Sequence, residues 1–160
     1  MKIAIINGPN LNLLGKRNPQ MYGSTTMEQI MLDIQRCWSG THFVYYQSNH
    51  EGDLIDKLQE IANSRDAIDS VSTNGETSGE TNGIIINAGG YAHTSVALRD
   101  AVEYVMQQGI PVVEVHLSDI YAREEFRHID LIKDVCVHTI TGHGNNGYKE
   151  AVEFIINSAH

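Results

Sequence analysis

Five short apolar runs alternate with segments of helical periodicity, and this alternation constrains the chain more than any other feature. The runs are Lys2–Asn7, Thr41–Gln47, Gly83–Asn87, Pro111–His116 and Val135–Thr139. The first, Ile3-Ala-Ile-Ile6 breaking into Asn, Gly and Pro, reads as a buried parallel strand that ends in a loop. Three helical patterns lie between the runs and a fourth follows the last run. The first opens at Thr25-x-x-Glu28, a capping-box pairing, and carries Met27, Ile30, Met31 and Ile34 on one face. The second runs from about Glu51 with Leu54, Ile55, Leu58, Ile61 and Ala62, and the third begins near Thr94 with Val96, Ala97, Ala101 and Val105. A short turn covers Ala122–Arg127, and a last helix spans Tyr148–Ser158. Strand-helix alternation predicts a parallel sheet covered by helices on both faces.

With five strands, the predicted fold class is α/β, a flavodoxin-like doubly wound sheet in the order 2-1-3-4-5. The 160 residues suit one domain, 1–160, with a sizeable core. One stretch breaks the pattern. From Ser70 to Asn82 the chain is Ser, Thr, Asn, Gly and Glu with almost nothing to bury, which predicts a solvated, flexible insertion. It joins a helix to the next strand, at the amino edge of the sheet, away from the carboxyl edge where such folds bind ligands.

Charge and cysteines narrow the function. A formal charge of −9, from 20 acidic and 11 basic residues, disfavours nucleic acid and anionic membrane as partners. A small anionic substrate remains compatible, because one or two arginines can reverse the field inside a cleft. Cys37 and Cys136 form no CxxC pair, and the reading is a reduced, cytoplasmic protein. No long apolar run predicts a membrane span, and the amino terminus enters a strand without a signal-peptide pattern.

Every strand ends in a polar cluster, and a parallel sheet brings these ends to one edge. The clusters are Asn7–Asn10, Gln47–Glu51, Asn87–Ser95, Glu114–Asp119 and His138–His143, rich in Asn and His rather than Lys and Glu. Glu114 and His116, two apart on a strand, point to the same side. A carboxylate beside an imidazole suits a general acid near neutral pH, although a strand-end histidine satisfied by its surroundings fits the same spacing. The Asn87-Ala88-Gly89-Gly90 turn offers backbone N–H groups to an anion. Arg123 and Arg127, with Glu124 and Glu125 between, read singly as a solvated helix face.

The first strand is followed by an unusually long connection. No helix signal appears from Gly8 to Thr25, whereas strand-to-helix loops usually take roughly 2–6 residues. Such a loop is expected to be a flap, and it carries Lys16, Arg17 and Tyr22. A phenol that acts as a base near pH 7 needs a shift of roughly three units, about 4 kcal/mol. One guanidinium about 4 Å away supplies approximately that at an effective dielectric near 20. A packed tyrosine beside a solvated arginine fits the spacing equally well.

Other chemistries lack their signatures. The chain has no GxxxxGK(S/T), HExxH or GxSxG. The His spacings match no familiar metal set, and none of Lys2, Lys16, Lys57, Lys133 and Lys149 lies in an apolar strand at the carboxyl edge. The remaining toolkit is a phenol, an imidazole, amides and arginines. It suits proton abstraction beside a carbonyl with acid assistance to a leaving group.

Six blocks carry a resemblance. They are Ile6-Asn-Gly-Pro-Asn-Leu-Asn-Leu-Leu-Gly15, Arg17-Asn-Pro-Gln-Met-Tyr-Gly23, Gln47-Ser-Asn-His-Glu-Gly52, Ile86-Asn-Ala-Gly-Gly-Tyr-Ala-His-Thr-Ser-Val-Ala-Leu-Arg-Asp100, Pro111-Val-Val-Glu-Val-His-Leu-Ser118 and Ala122-Arg-Glu-Glu-Phe-Arg127. In this order they resemble the type II 3-dehydroquinate dehydratases of the shikimate and quinate pathways. The resemblance implies a lyase that needs no cofactor or metal and converts 3-dehydroquinate to 3-dehydroshikimate by anti elimination through an enolate. It implies Tyr22 as the base, activated by Arg17, and Asn10 as holder of a water at the enolate oxygen. His116 would protonate the departing hydroxyl, oriented by Glu114. Asn87, Leu117 and Ser118 would bind the substrate carboxylate, His93 and Arg127 the ring hydroxyls, and Asp100 would approach from a neighbouring subunit. The family usually forms a homododecamer of four trimers.

Two departures flank the substrate-binding serine, where Asp119 and Tyr121 stand in place of the family's common Asn and His. The rival readings are a flavodoxin-like module that binds flavin or receives a phosphoryl group, and an inactive regulatory paralogue. Neither the Ser/Thr-rich phosphate loop nor the acidic pocket of the first rival follows strand one, and Tyr22, Arg17, His116 and Arg127 are all retained.

Overall fold

A computed structural model of the chain describes residues 1–64 and 80–159. Among them, β1 (Lys2–Asn7), β2 (His42–Gln47), β3 (Gly83–Asn87), β4 (Val112–His116) and β5 (His138–Thr141) form one parallel sheet in the order β2-β1-β3-β4-β5. This is the expected topology. The three inner strands are buried on both faces, which explains their unbroken apolar sequence.

Alternate residues of those strands feed two cores. On one face Ala4, Ile6, Ile84, Ile86 and Val112 meet Leu54, Leu58 and Ile61 of α3 (Glu51–Asn63) and Leu98, Val102 and Val105 of α4 (Val96–Gln107). On the other, Ile3, Ile5, Ile85, Val113 and Val115 meet Ile30 and Ile34 of α2 (Met27–Cys37) and Tyr148, Val152 and Ile155 of α5 (Asn146–Ser158). Full burial of each such side chain contributes about 1.5–3 kcal/mol, so this sandwich is the rigid base for the loops above it.

Several boundaries differ from expectation. The capping box that starts α2 is Thr26 with Gln29, one residue beyond Thr25 and Glu28; Gln29 N donates to Thr26 Oγ1 and Thr26 N to Gln29 Oε1. Helix α4 starts from Ser95, whose hydroxyl accepts from Leu98 N at 2.8 Å, because Gly89–His93 first forms a separate 3₁₀ turn. The segment expected to open β5 at Val135 is a 3₁₀ turn, Lys133–Val135, so pairing begins only at His138. Ala122–Arg127 is two 3₁₀ pieces, Ile120–Ala122 and Glu125–His128. The expected insertion at 70–82 lies mostly outside the described residues. Its last two residues are tied down: Thr81 is buried, and Asn82 exchanges hydrogen bonds of 2.8 Å with Lys2.

The strand register aligns the site. Asn7 of β1 sits opposite Gln47 of β2 and Asn87 of β3. Gly8 then passes so close to the Ala88 carbonyl that a Cβ would collide with it. Only glycine lets the two chain ends approach this way.

Candidate active site

The flap is folded rather than irregular. Leu11–Leu13 makes a 3₁₀ turn and Pro19–Tyr22 a one-turn helix, α1. Its bends fall at left-handed residues: Asn10 (φ 68°), Gly15 (83°), Asn18 (38°) and Gly23 (76°). Asn and Gly are the residues that tolerate this conformation. Asn10 is held from outside the flap, where its N–H donates to Asn49 Oδ1 at 3.0 Å; Gln47 Nε2 donates to the same oxygen at 3.1 Å.

Below the flap, at the carboxyl edge, one cavity gathers most of the expected site residues. Asn10, Arg17 and Tyr22 line it from the flap, and Asn87, His93, His116, Leu117, Ser118 and Arg127 from the strand ends and the loops beyond. Two expected residues are not on its wall. Glu114 is fully buried beneath His116, and Asp100 stands exposed on α4.

The surroundings of Tyr22 correct one reading. Arg123, which reads from its neighbours as a solvated residue, lines the cavity and donates from Nη1 to Tyr22 Oη at 2.9 Å and to Ser118 Oγ at 3.2 Å. Its guanidinium carbon lies 5.6 Å from the Tyr22 ring centre, and that of Arg17 lies 5.7 Å away. Two cations therefore face one phenol, but the one that bonds its oxygen comes from the loop after β4. The Arg123-Glu-Glu-Phe-Arg127 pattern concealed this, because it imitates a helix surface.

Two buried amides set the floor. The Tyr148 hydroxyl, fully buried on α5, donates to Asn7 Oδ1 at 2.8 Å and accepts from Asn87 Nδ2 at 3.3 Å. Asn87 Oδ1 accepts from Gly89 N at 3.2 Å and shapes the turn that leads to His93. Burial pushes the Tyr148 phenol far above its ordinary range, against the opposing effect of the two amides, so it remains a neutral linker.

His116 lies between two carboxylates. Its Nε2 is 3.1 Å from Glu114 Oε1 and 3.2 Å from Asp130 Oδ2. Burial alone would lower its pKa, but the hydrogen bond to Asp130 and the charges of Asp130 and Glu114 outweigh that and raise it to about 9. Burial raises Glu114 despite the pull of His116. Asp130 is also opposed by burial, yet the imidazole and the Lys133 backbone N–H bring it below the usual range. His93 stacks at 6.1 Å from His116, and its Nδ1 is fixed by the Ile129 carbonyl at 2.6 Å. We read the trio as an ion-pair cluster, since both carboxylates face one nitrogen of an imidazole whose pKa they raise. Asp130 had no sequence signal: it follows a 3₁₀ turn and reaches His116 only because that loop folds back over β4.

The comparisons with known proteins agree along the whole chain. Residues 1–156 match the family model described as dehydroquinase class II. A 3-dehydroquinate dehydratase of Prochlorococcus marinus is 46% identical over 158 residues, covering 98% of this chain and 96% of that protein. A catabolic 3-dehydroquinase of Podospora anserina is 45% identical over 155 residues, covering 96% and 92%. The crystal structure of a type II dehydroquinase from Butyrivibrio crossotus superposes with a TM-score of 0.82 at 41% identity, covering 98% and 97%.

Proposed function

The chain belongs to the class II dehydroquinase family, and on that premise we propose how its cavity works. It is a lyase that dehydrates 3-dehydroquinate to 3-dehydroshikimate, a step of the shikimate pathway.

In this reading Tyr22, as phenolate, removes the proton beside the substrate ketone. The observation that carries the assignment is its 2.9 Å bond to Arg123, with Arg17 over the ring. Two guanidiniums supply the counter-charge a phenolate needs. The electrons pass to the ketone oxygen as an enolate, which a water on Asn10 stabilises. The enolate then expels the C1 hydroxyl, and His116 protonates it as it leaves as water. Asn87, Leu117 and Ser118 hold the carboxylate, and His93 and Arg127 hold the ring hydroxyls. Asp100, exposed on α4, serves a neighbouring subunit's cavity in a homododecamer of four trimers, and the enzyme works in the cytoplasm. No helix among the described residues is long and apolar enough to cross a membrane. The rate gain resides in groups that meet charge as it develops, namely Asn10 and His116.

The test adds 3-dehydroquinate and follows the ultraviolet absorbance of the conjugated enone, with Tyr22→Phe and His116→Ala in parallel. Rapid growth in the wild type and near silence in both variants is the expected result. An unchanged rate in Tyr22→Phe would overturn the assigned base, and silence in the wild type would point to an inactive paralogue.

A further inference from the structure

We propose that Asp130 is the positioning residue of the acid: it turns the His116 ring and keeps it charged, ahead of Glu114. This rests on the reading of His116 as the acid of the dehydration.

The geometry separates the two carboxylates. Asp130 is clamped, its Oδ1 accepting from the backbone N–H groups of Ile132 and Lys133, each at 3.1 Å. Its Oδ2 is thereby aimed at His116 Nε2, with which it makes a hydrogen bond of 3.2 Å. Glu114 Oε1 is as close to the same nitrogen but is buried with no hydrogen-bond partner, while its Oε2 accepts from Thr139 at 3.3 Å. One ring nitrogen carries at most one hydrogen, and of the two carboxylates only Asp130 meets it in hydrogen-bonding geometry. Asp130 is 2% exposed on its side chain, so its charge acts on the imidazole with little screening by water.

Other groups surround this pair. From β4 comes Glu114, and from the Gly89–His93 turn the stacked His93. Cys136 lies ahead of β5, its thiol pushed up by burial and by both carboxylates. Arg99 of α4 donates to the Leu131 carbonyl beside Asp130, and Arg17, Arg123 and Arg127 line the cavity. Of these, only Glu114 brings a second carboxylate to His116, and unlike Asp130 it is not clamped by backbone N–H groups.

The chemical consequence concerns which proton moves. In the imidazolium both nitrogens carry hydrogen, and with Nε2–H held by Asp130, Nδ1–H is the one left to transfer. When the C1–O bond breaks, that proton joins the departing hydroxyl to form water. The ring is left neutral with Nε2–H still bonded to Asp130, ready to take a proton back at Nδ1 from solvent.

The test is Asp130→Asn, which keeps an acceptor of the same shape and removes the charge. In the dehydration assay the alkaline limb of kcat/KM is expected to move down by about 1–3 pH units. KM changes little and activity near pH 6 stays within a few-fold of wild type, so the loss at pH 8.5 runs from about threefold for a one-unit shift to about tenfold or more for two or three. Asp130→Glu is expected to return part of the shift. Nitrogen-15 NMR of the His116 ring, assigned against His116→Ala, should show the same displacement without substrate. A uniform loss of rate with the limb and ring titration unmoved would overturn the proposal. So would a wild-type ring that titrates at the ordinary histidine value, a result that stands even if Asp130→Asn does not fold. Because the ring titration needs no turnover, a wild type that fails to dehydrate the substrate would refute the functional reading separately.

Discussion

Replacing Tyr148 by Phe removes one oxygen atom and tests whether the carboxyl edge is held from below. The hydroxyl serves Asn7 at 2.8 Å and Asn87 at 3.3 Å, in surroundings where Asn7 is 0% and Asn87 3% exposed. Each lost hydrogen bond costs about 1 kcal/mol net, and a buried amide atom left without a partner costs about 1–3 kcal/mol. The 3.3 Å contact is the weaker, so the sum expected is about 2–4 kcal/mol. Against a total stability of roughly 5–15 kcal/mol this is easily read. Urea unfolding can be followed by Trp38, the single tryptophan, which packs against the same core as Tyr148. With a slope of about 1–3 kcal/mol/M, the midpoint should fall by about 1–2 M with the slope unchanged, at fixed protein concentration. Tyr104→Phe is the control: it removes a bond of 2.8 Å to Asn63 at an exposed position and should cost less than about 0.5 kcal/mol. Kinetically, Tyr148→Phe should raise KM more than it lowers kcat, since Asn87 then wanders. A loss no larger than the control's, with KM unchanged, would refute the argument.

Three further outcomes are expected. Arg123→Ala should lower kcat on the order of 10²-fold, and Arg123→Lys should recover only part, because the shorter side chain with its compact ammonium lacks the planar guanidinium that lies over the Tyr22 ring while Nη1 bonds Tyr22 and Ser118. The His116 pKa, raised from 6.5 to about 9 on folding, contributes stability that is complete below pH 6.5 and lost as pH rises through about 9. Unfolding free energies should therefore fall between those two pH values by on the order of 3 kcal/mol, and the fall should vanish in His116→Ala. Gly8→Ala, whose new methyl meets the Ala88 carbonyl, should destabilise by roughly 3 kcal/mol in the same urea assay and slow turnover by displacing Asn87.

The sheet order was readable because inner strands of a parallel sheet must be apolar throughout, as in Ile84–Ile86 and Val112–Val113. The flap was readable from its length, and Tyr22 and Arg17 do share one wall of the cavity. Boundaries were harder. Thr25 and Thr26 are chemically alike, and only the phase that buries Met27, Ile30 and Ile34 selects the second as the cap. Arg123 and Asp130 escaped for one physical reason: each acts on a residue brought near by folding of an irregular loop, which leaves no periodic trace. For Arg123 the partner is Tyr22, 101 positions earlier in the chain. Asp100 is legible only through the family resemblance, since nothing about an exposed helical carboxylate marks it.

The single guanidinium of Arg123 touches both Tyr22 and Ser118, so in the reaction proposed above the hand that steadies the base would also rest on the seat of the substrate's carboxylate. On that proposal a molecule that brings no negative group to Ser118 would leave that hand where it was, whereas the substrate would recruit it and reset the base with it. Selectivity is then expressed in turnover more than in occupancy: an ester or amide analogue would enter the cavity, fill it as an inhibitor does, and wait there unreacted.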